Sequence, residues 1–88
     1  MTDIVCVKWA DAHCGPSGWL DLEDYKDDGE EIVTTVGFMT ADGSKGFKPG
    51  HITIWQTLSA HDGIHPFHIP AEMVRQITIL CSMDVGLD

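Results

Sequence analysis

No stretch of this chain carries apolar residues at the i, i+3, i+4, i+7 spacing that a packed helix keeps up over about ten residues or more. Its apolar residues come instead in short β-branched runs, each closed by glycine, proline or an Asp–Gly pair. That punctuation predicts an all-β fold. The runs are residues 4–9, 32–39, 51–58, 64–69 and 76–81. In the third, Ile52, Ile54 and Leu58 share one face and Thr53, Trp55 and Thr57 the other, because strand side chains alternate. Gly37 in the second run marks a bulge or a close backbone approach. Asp62-Gly63 reads as a hairpin turn whose glycine takes φ > 0. Asp42-Gly43 and Pro49-Gly50 are further turn signals. Pro66 has no N–H to give a ladder, so the fourth strand is an edge or is bulged. Pro70 opens one helical turn over residues 70–75, too short to stand as a helix.

The 88 residues make a single domain, 1–88. Residues 10–31 form a long solvated loop, with a Gly15-Pro16-Ser17-Gly18 turn cluster and seven of the chain's fourteen acids between Asp21 and Glu31. Five strands, a long loop after the first and a single helical turn before the last predict a small SH3-like barrel. An OB-type barrel, the nearest rival, carries a longer helix between its third and fourth strands. A chain of this length buries only about 60–65% of its unfolded surface. The small core and the edge strand at 64–69 together predict a homo-oligomer, a dimer or higher.

Fourteen acids against five bases give a formal charge of −9. That balance disfavours direct nucleic-acid binding and anionic membrane surfaces, both of which reward Lys and Arg. No apolar run approaches the roughly 20 residues of a membrane span, and Met1-Thr2-Asp3 lacks the positive start of a signal peptide. Three cysteines leave one unpaired in any disulfide scheme. Cys6 and Cys81 are expected as small core residues, and Cys14 as an exposed loop thiol. Reduced thiols predict a cytoplasmic protein.

Several groups of residues could carry chemistry. Trp9, Asp11, His13 and Trp19 cluster where the first strand meets the long loop. As a binding site, the indoles would stack a ligand and Asp11 and His13 would bond it. As structure, Trp9 would be core, Asp11 would cap loop N–H groups and Trp19 would pin the loop. Five histidines suggest a metal, but His65 and His68 differ by three and point apart on a regular strand. No Cys-x-x-Cys pair is present, so no metal and no other cofactor are expected. The alternative is an edge strand with a histidine-rich polar face. His13 beside Cys14 lacks a third orienting group, and no Gly-rich phosphate loop exists, so no enzymatic activity is expected. The lasting cations Lys45, Lys48 and Arg75 are the candidates to hold the phosphates of a nucleotide-like ligand, whose base would stack on Trp19, Trp55 or a histidine such as His65 or His68. The acidic run 21–31 is a solvated loop, or else a lure for a basic protein.

Trp9-x-Asp11-Ala12-His13, Gly18-Trp19, Thr35-Val36-Gly37-Phe38 and Ile69-Pro70-x-x-Met73-Val74 occur in that order. Together they resemble a group of small uncharacterised proteins from tailed bacteriophages and prophages, with the pattern WxDA, GW, tVGf and IPxGmI, over roughly residues 4–80. Ala71-Glu72 stands where that pattern often has a basic residue and Gly, and the loop from Asp42 to Gly50 is longer than expected. The group brings no activity with it. The resemblance implies a phage origin and, by analogy of genome context, a non-enzymatic accessory protein that neutralises a host factor, such as a nucleotide-derived immune signal. The competing expectations are a structural or assembly module, and an acidic protein that binds a basic host protein.

Overall fold

The computed structural model describes residues 2–11, 18–26, 29–40 and 48–84. It is all-β. Five antiparallel strands form one sheet: β1 (Thr2–Asp11), β2 (Glu31–Thr40), β3 (His51–Leu58), β4 (Gly63–Pro70) and β5 (Val74–Met83). Their spatial order is β4-β3-β2-β1-β5. Each expected run is a strand, and most extend a little at their ends. The helical turn is shorter than expected. A 3-10 turn covers only Ala71–Met73, entered from Pro70 at φ −54°, and Val74 is already extended. β5 therefore starts earlier than the apolar run alone implied. Among the described residues, no helix is long and apolar enough to cross a membrane.

Alternation along β1 sets the core. Val5, Val7 and Trp9 point to one face and are buried, together with Ile54 from β3 and Ile69 from β4. Val33, Met39, Ile52 and Val74 pack around their margin. β1 pairs with β2 from Asp3↔Met39 to Asp11↔Glu31, and with β5 from Thr2↔Met83 to Trp9↔Val74. Only the end of β2 reaches β3, through Phe38↔Trp55, Met39↔Ile54 and Thr40↔Thr53. In a flat sheet β1 and β4 would lie roughly 14 Å apart, three strand spacings. The rings of Trp9 on β1 and Phe67 on β4 have centroids only 5.5 Å apart. The sheet is therefore coiled so that β4 returns over the inner face of β1.

Coiling does not lead to closure. No ladder joins β4 to β5, so the sheet is open where a closed barrel was expected. The reason lies in β5, which pairs only with β1 and of whose residues only Val74 is even partly buried. Cys81 follows from this. It was expected in the core, but it sits exposed on the edge strand, while Cys6 on the neighbouring β1 is half-buried. Cys14 and Asp42-Gly43 lie outside the described residues.

Two glycines are fixed by what crosses over them. A Cβ on Gly37 would lie 2.5 Å from Ile54 Cγ2 and 2.7 Å from the Trp55 carbonyl oxygen, so the expected close approach is present. Gly63 does not have the positive φ expected of a hairpin glycine. The hairpin loop is residues 59–62, where the Ser59 N–H donates to the Asp62 carbonyl at 2.7 Å and the Asp62 N–H to Ser59 Oγ at 3.0 Å. Gly63 is the first residue of β4, and the Trp55 ring occupies the space a side chain there would fill. Pro66 sits opposite Trp55 on the edge strand, and the register is the same on both sides of His65. The edge position, without a bulge, accommodates the proline.

Candidate functional site

The best-defined polar cluster starts at a turn. Lys48-Pro49-Gly50-His51 closes with the His51 N–H donating to the Lys48 carbonyl at 3.2 Å, and Gly50 has φ +74°. Proline followed by a positive-φ glycine is the sequence requirement of a type II turn. The Gly50 carbonyl accepts from the Ala71 N–H at 3.0 Å, which ties the turn to the start of the 3-10 turn. The Pro49 carbonyl can only accept, so His51 Nδ1 donates to it, at 2.8 Å.

Thr53 is the hub beneath this turn. It was expected on the polar face of β3, yet it is fully buried. Its hydroxyl accepts from the Lys48 backbone N–H at 3.3 Å. The same hydroxyl is hydrogen-bonded to His68 Nδ1, 2.8 Å away, across the β3–β4 pair Thr53↔His68. The His51 and His68 rings meet edge to face with centroids 6.4 Å apart. Among the described residues, Nε2 of each ring has no partner, and neither does the Lys48 ammonium. From Gly43 to Ala71 the chain carries two lysines and four histidines against one acid, Asp62, with Asp42 and Glu72 immediately outside those bounds. A region with little negative charge of its own thus exists within a chain of −9. Donor nitrogens in such a region can bond an anion.

This corner joins two nominated residues, Lys48 and His68, and adds His51 and Thr53. The other nominated residues lie elsewhere. Trp9 is core, its Nε1–H donating to Thr35 Oγ1 at 3.0 Å. Asp11 ends β1 opposite Glu31. Trp19 is fully exposed and pins nothing among the described residues. Trp55 is half-buried, with its Nε1–H donating to Thr40 Oγ1 at 3.3 Å. His65 is exposed on β4 in a left-handed conformation, φ 56°. His13 and Lys45 lie outside the described residues. No group of three or more His, Cys, Asp or Glu that could hold a metal occurs among the described residues. The signal for His51 was the Pro-Gly turn just before it. The signal for Thr53 was its register with His68, which the length of the hairpin loop sets.

Arg75 is engaged with Glu30 rather than free for a phosphate. Its Nε donates to the two carboxylate oxygens at 3.0 and 2.9 Å, and Nη1 donates to the Glu72 carbonyl at 2.7 Å. The hydrogen bond from Arg75 holds the Glu30 carboxyl below its usual range, ahead of an opposing desolvation effect and the guanidinium's charge. The same bond raises Arg75. A carboxylate with a depressed folded pKa stabilises the fold above the ordinary glutamate range, and that contribution is lost as pH falls through the folded value. The pair is exposed, so the effect is small. Thermal melts from pH 7 to pH 2 are expected to show a shallower acid decline for Glu30→Gln than for the unmodified protein, with Arg75→Gln behaving like Glu30→Gln. Three parallel acid limbs would mean the pair contributes nothing.

No protein-family model, no curated protein and no solved structure matches this chain.

Proposed function

We propose that the protein is a non-enzymatic accessory protein of tailed-phage type that binds a small phosphorylated ligand, such as a nucleotide-derived signal, and so neutralises a host factor. In this reading the fold is an SH3-like barrel left open between β4 and β5, and the protein works as a homo-oligomer. The observation that carries the ligand assignment is the Thr53 hub, which bonds the Lys48 backbone and the His68 ring, itself edge to face with His51, on a stretch of chain with few acids. His68 offers Nε2–H when its Nδ1 accepts from Thr53, His51 offers a second donor when it carries its proton, and Lys48 supplies the lasting charge. Lys45 belongs to the same acid-poor stretch and shares in phosphate binding.

Calorimetric titration with mononucleotides, cyclic dinucleotides and inorganic phosphate tests the reading. At least one nucleotide is expected to bind, and more weakly as salt is added. Lys48→Glu and His68→Ala should each weaken it roughly tenfold to hundredfold, the range for a lost hydrogen bond to a charged group. Lys26→Glu, in the acidic loop, should not. Silence across the whole panel, or affinities untouched by both corner variants, would remove this reading. The other reading, an acidic protein that binds a basic one, draws on Trp19 and Leu22, which stand exposed beside Asp21, Glu23 and Asp24. A host protein captured by the unmodified chain but not by Trp19→Ala would favour it.

A further inference from the structure

We propose that β5 is the seam on which a second copy of this chain docks, laying its own β5 antiparallel alongside to continue the sheet across a two-fold axis. The inference does not depend on the ligand reading. The sheet has two edges, β4 and β5. An exposed edge presents unpaired N–H and C=O groups, and proteins blunt it with proline, bulges or charge unless it is meant to pair. β4 is blunted by Pro66, by Pro70 and by the left-handed His65. β5 is ten residues long and contains no proline, glycine or acid; Arg75 and Leu80 are the extra residues of two bulges against β1, and between them residues 76–79 pair regularly. It also leaves Ile77, Ile79, Leu80 and Met83 exposed.

The occupant follows from surface and charge. A compact 9.7 kDa chain presents roughly 5,100 Å² to solvent, whereas this one presents 6646 Å². Part of that excess lies on the exposed loop around Trp19 and Leu22, and the exposed Ile77, Ile79, Leu80 and Met83 add to it along β5, where an ordinary stable interface takes roughly 800 Å² from each partner. Two copies at −9 repel one another through most of their surface. Along β5 the only charged residue is Arg75, already paired with Glu30. End-to-end antiparallel overlap would also bring Arg75 close to the partner's Asp84. A strand paired with itself about a two-fold axis closes after two copies, so the assembly is a dimer and not a fibre.

Light scattering at micromolar concentration is expected to give twice the chain mass of 9.7 kDa. Ile79→Lys on β5 should halve that mass, and Ile64→Lys on β4 should leave it doubled. A circular dichroism spectrum unchanged from the parent shows that each variant is still folded. A second measurement needs no disruptive change. With Cys6 and Cys14 replaced by alanine, a nitroxide on the exposed Cys81 reports the distance between copies. Two-fold pairing of β5 sets the Cys81 backbones roughly 20 Å apart, from the strand rise and spacing, and pairing through β4 sets them several strand spacings farther. A monomer would overturn the proposal. So would a dimer that survives Ile79→Lys, or one whose labels lie beyond about 40 Å.

Discussion

Trp9→Ala is expected to cost about 3–5 kcal/mol, the range for truncating a buried aromatic. In a domain of this size that lowers the melting temperature by roughly 12 °C or more. The size of the effect follows from where the indole sits. It is buried on β1, an inner strand, and bonds Thr35 on β2. It is opposite Val33 on β2 and Val74 on β5, and it meets Phe67 of β4. One side chain therefore joins four of the five strands, and it is the described contact that brings β4 back over β1. Removing it leaves a cavity where the coiled sheet folds back over β1. Trp19→Ala should change stability by no more than about 0.5 kcal/mol, because that ring is fully exposed. Parallel thermal melts of the two variants decide the point. Equal losses would mean that Trp19 anchors the loop after all and that Trp9 is not the centre of the core.

The strands were legible because their signal is local. Val5, Val7 and Trp9 alternate with Ile4, Cys6 and Lys8, and that alternation specifies a half-buried strand whatever it packs against. The edge position of β4 was legible for a similar reason, since Pro66 removes a donor from its own residue. Closure was a different matter. It depends on whether the two ends of the sheet meet, and no property of β5 alone says that its Ile77 and Ile79 remain exposed. Asp62-Gly63 misled because the pair is a turn signal in isolation, while the Trp55 ring, eight residues earlier, is what requires the glycine. Of the candidate site, Lys48 and His68 were picked for their charge and their ring. Thr53, which bonds the Lys48 backbone and the His68 ring, was not, because a threonine between isoleucines reads as a solvent-facing position until the hairpin register places it against His68.

Gly37→Ala should be nearly as damaging as the loss of Trp9, at about 3 kcal/mol, the upper end of the usual cost of overpacking. The added methyl would meet Ile54 Cγ2 at 2.5 Å and the Trp55 carbonyl oxygen at 2.7 Å. The isoleucine can turn aside, but the carbonyl is backbone. It belongs to β3 at the place where β2 leaves β1 for β3 and pairs through Phe38↔Trp55 and Met39↔Ile54. That ladder is the short one that joins the two halves of the coiled sheet, so moving β3 away from Gly37 strains the connection with the least pairing to spare. Gly50→Ala is the fitting control. Its φ of +74° disfavours a side chain, but nothing lies within 4 Å of where the Cβ would stand. It should cost about 1–2 kcal/mol, the penalty for a left-handed non-glycine residue. Urea titrations of both variants should therefore order them parent, Gly50→Ala, Gly37→Ala. The same displacement of β3 would move Thr53, two residues from Trp55, so ligand binding at Lys48 and His68 should fall in Gly37→Ala even under conditions where the variant stays folded. A Gly37→Ala midpoint at or above that of Gly50→Ala would mean that β2 and β3 are not in close approach, and the coiled sheet described here would have to be redrawn at that crossing.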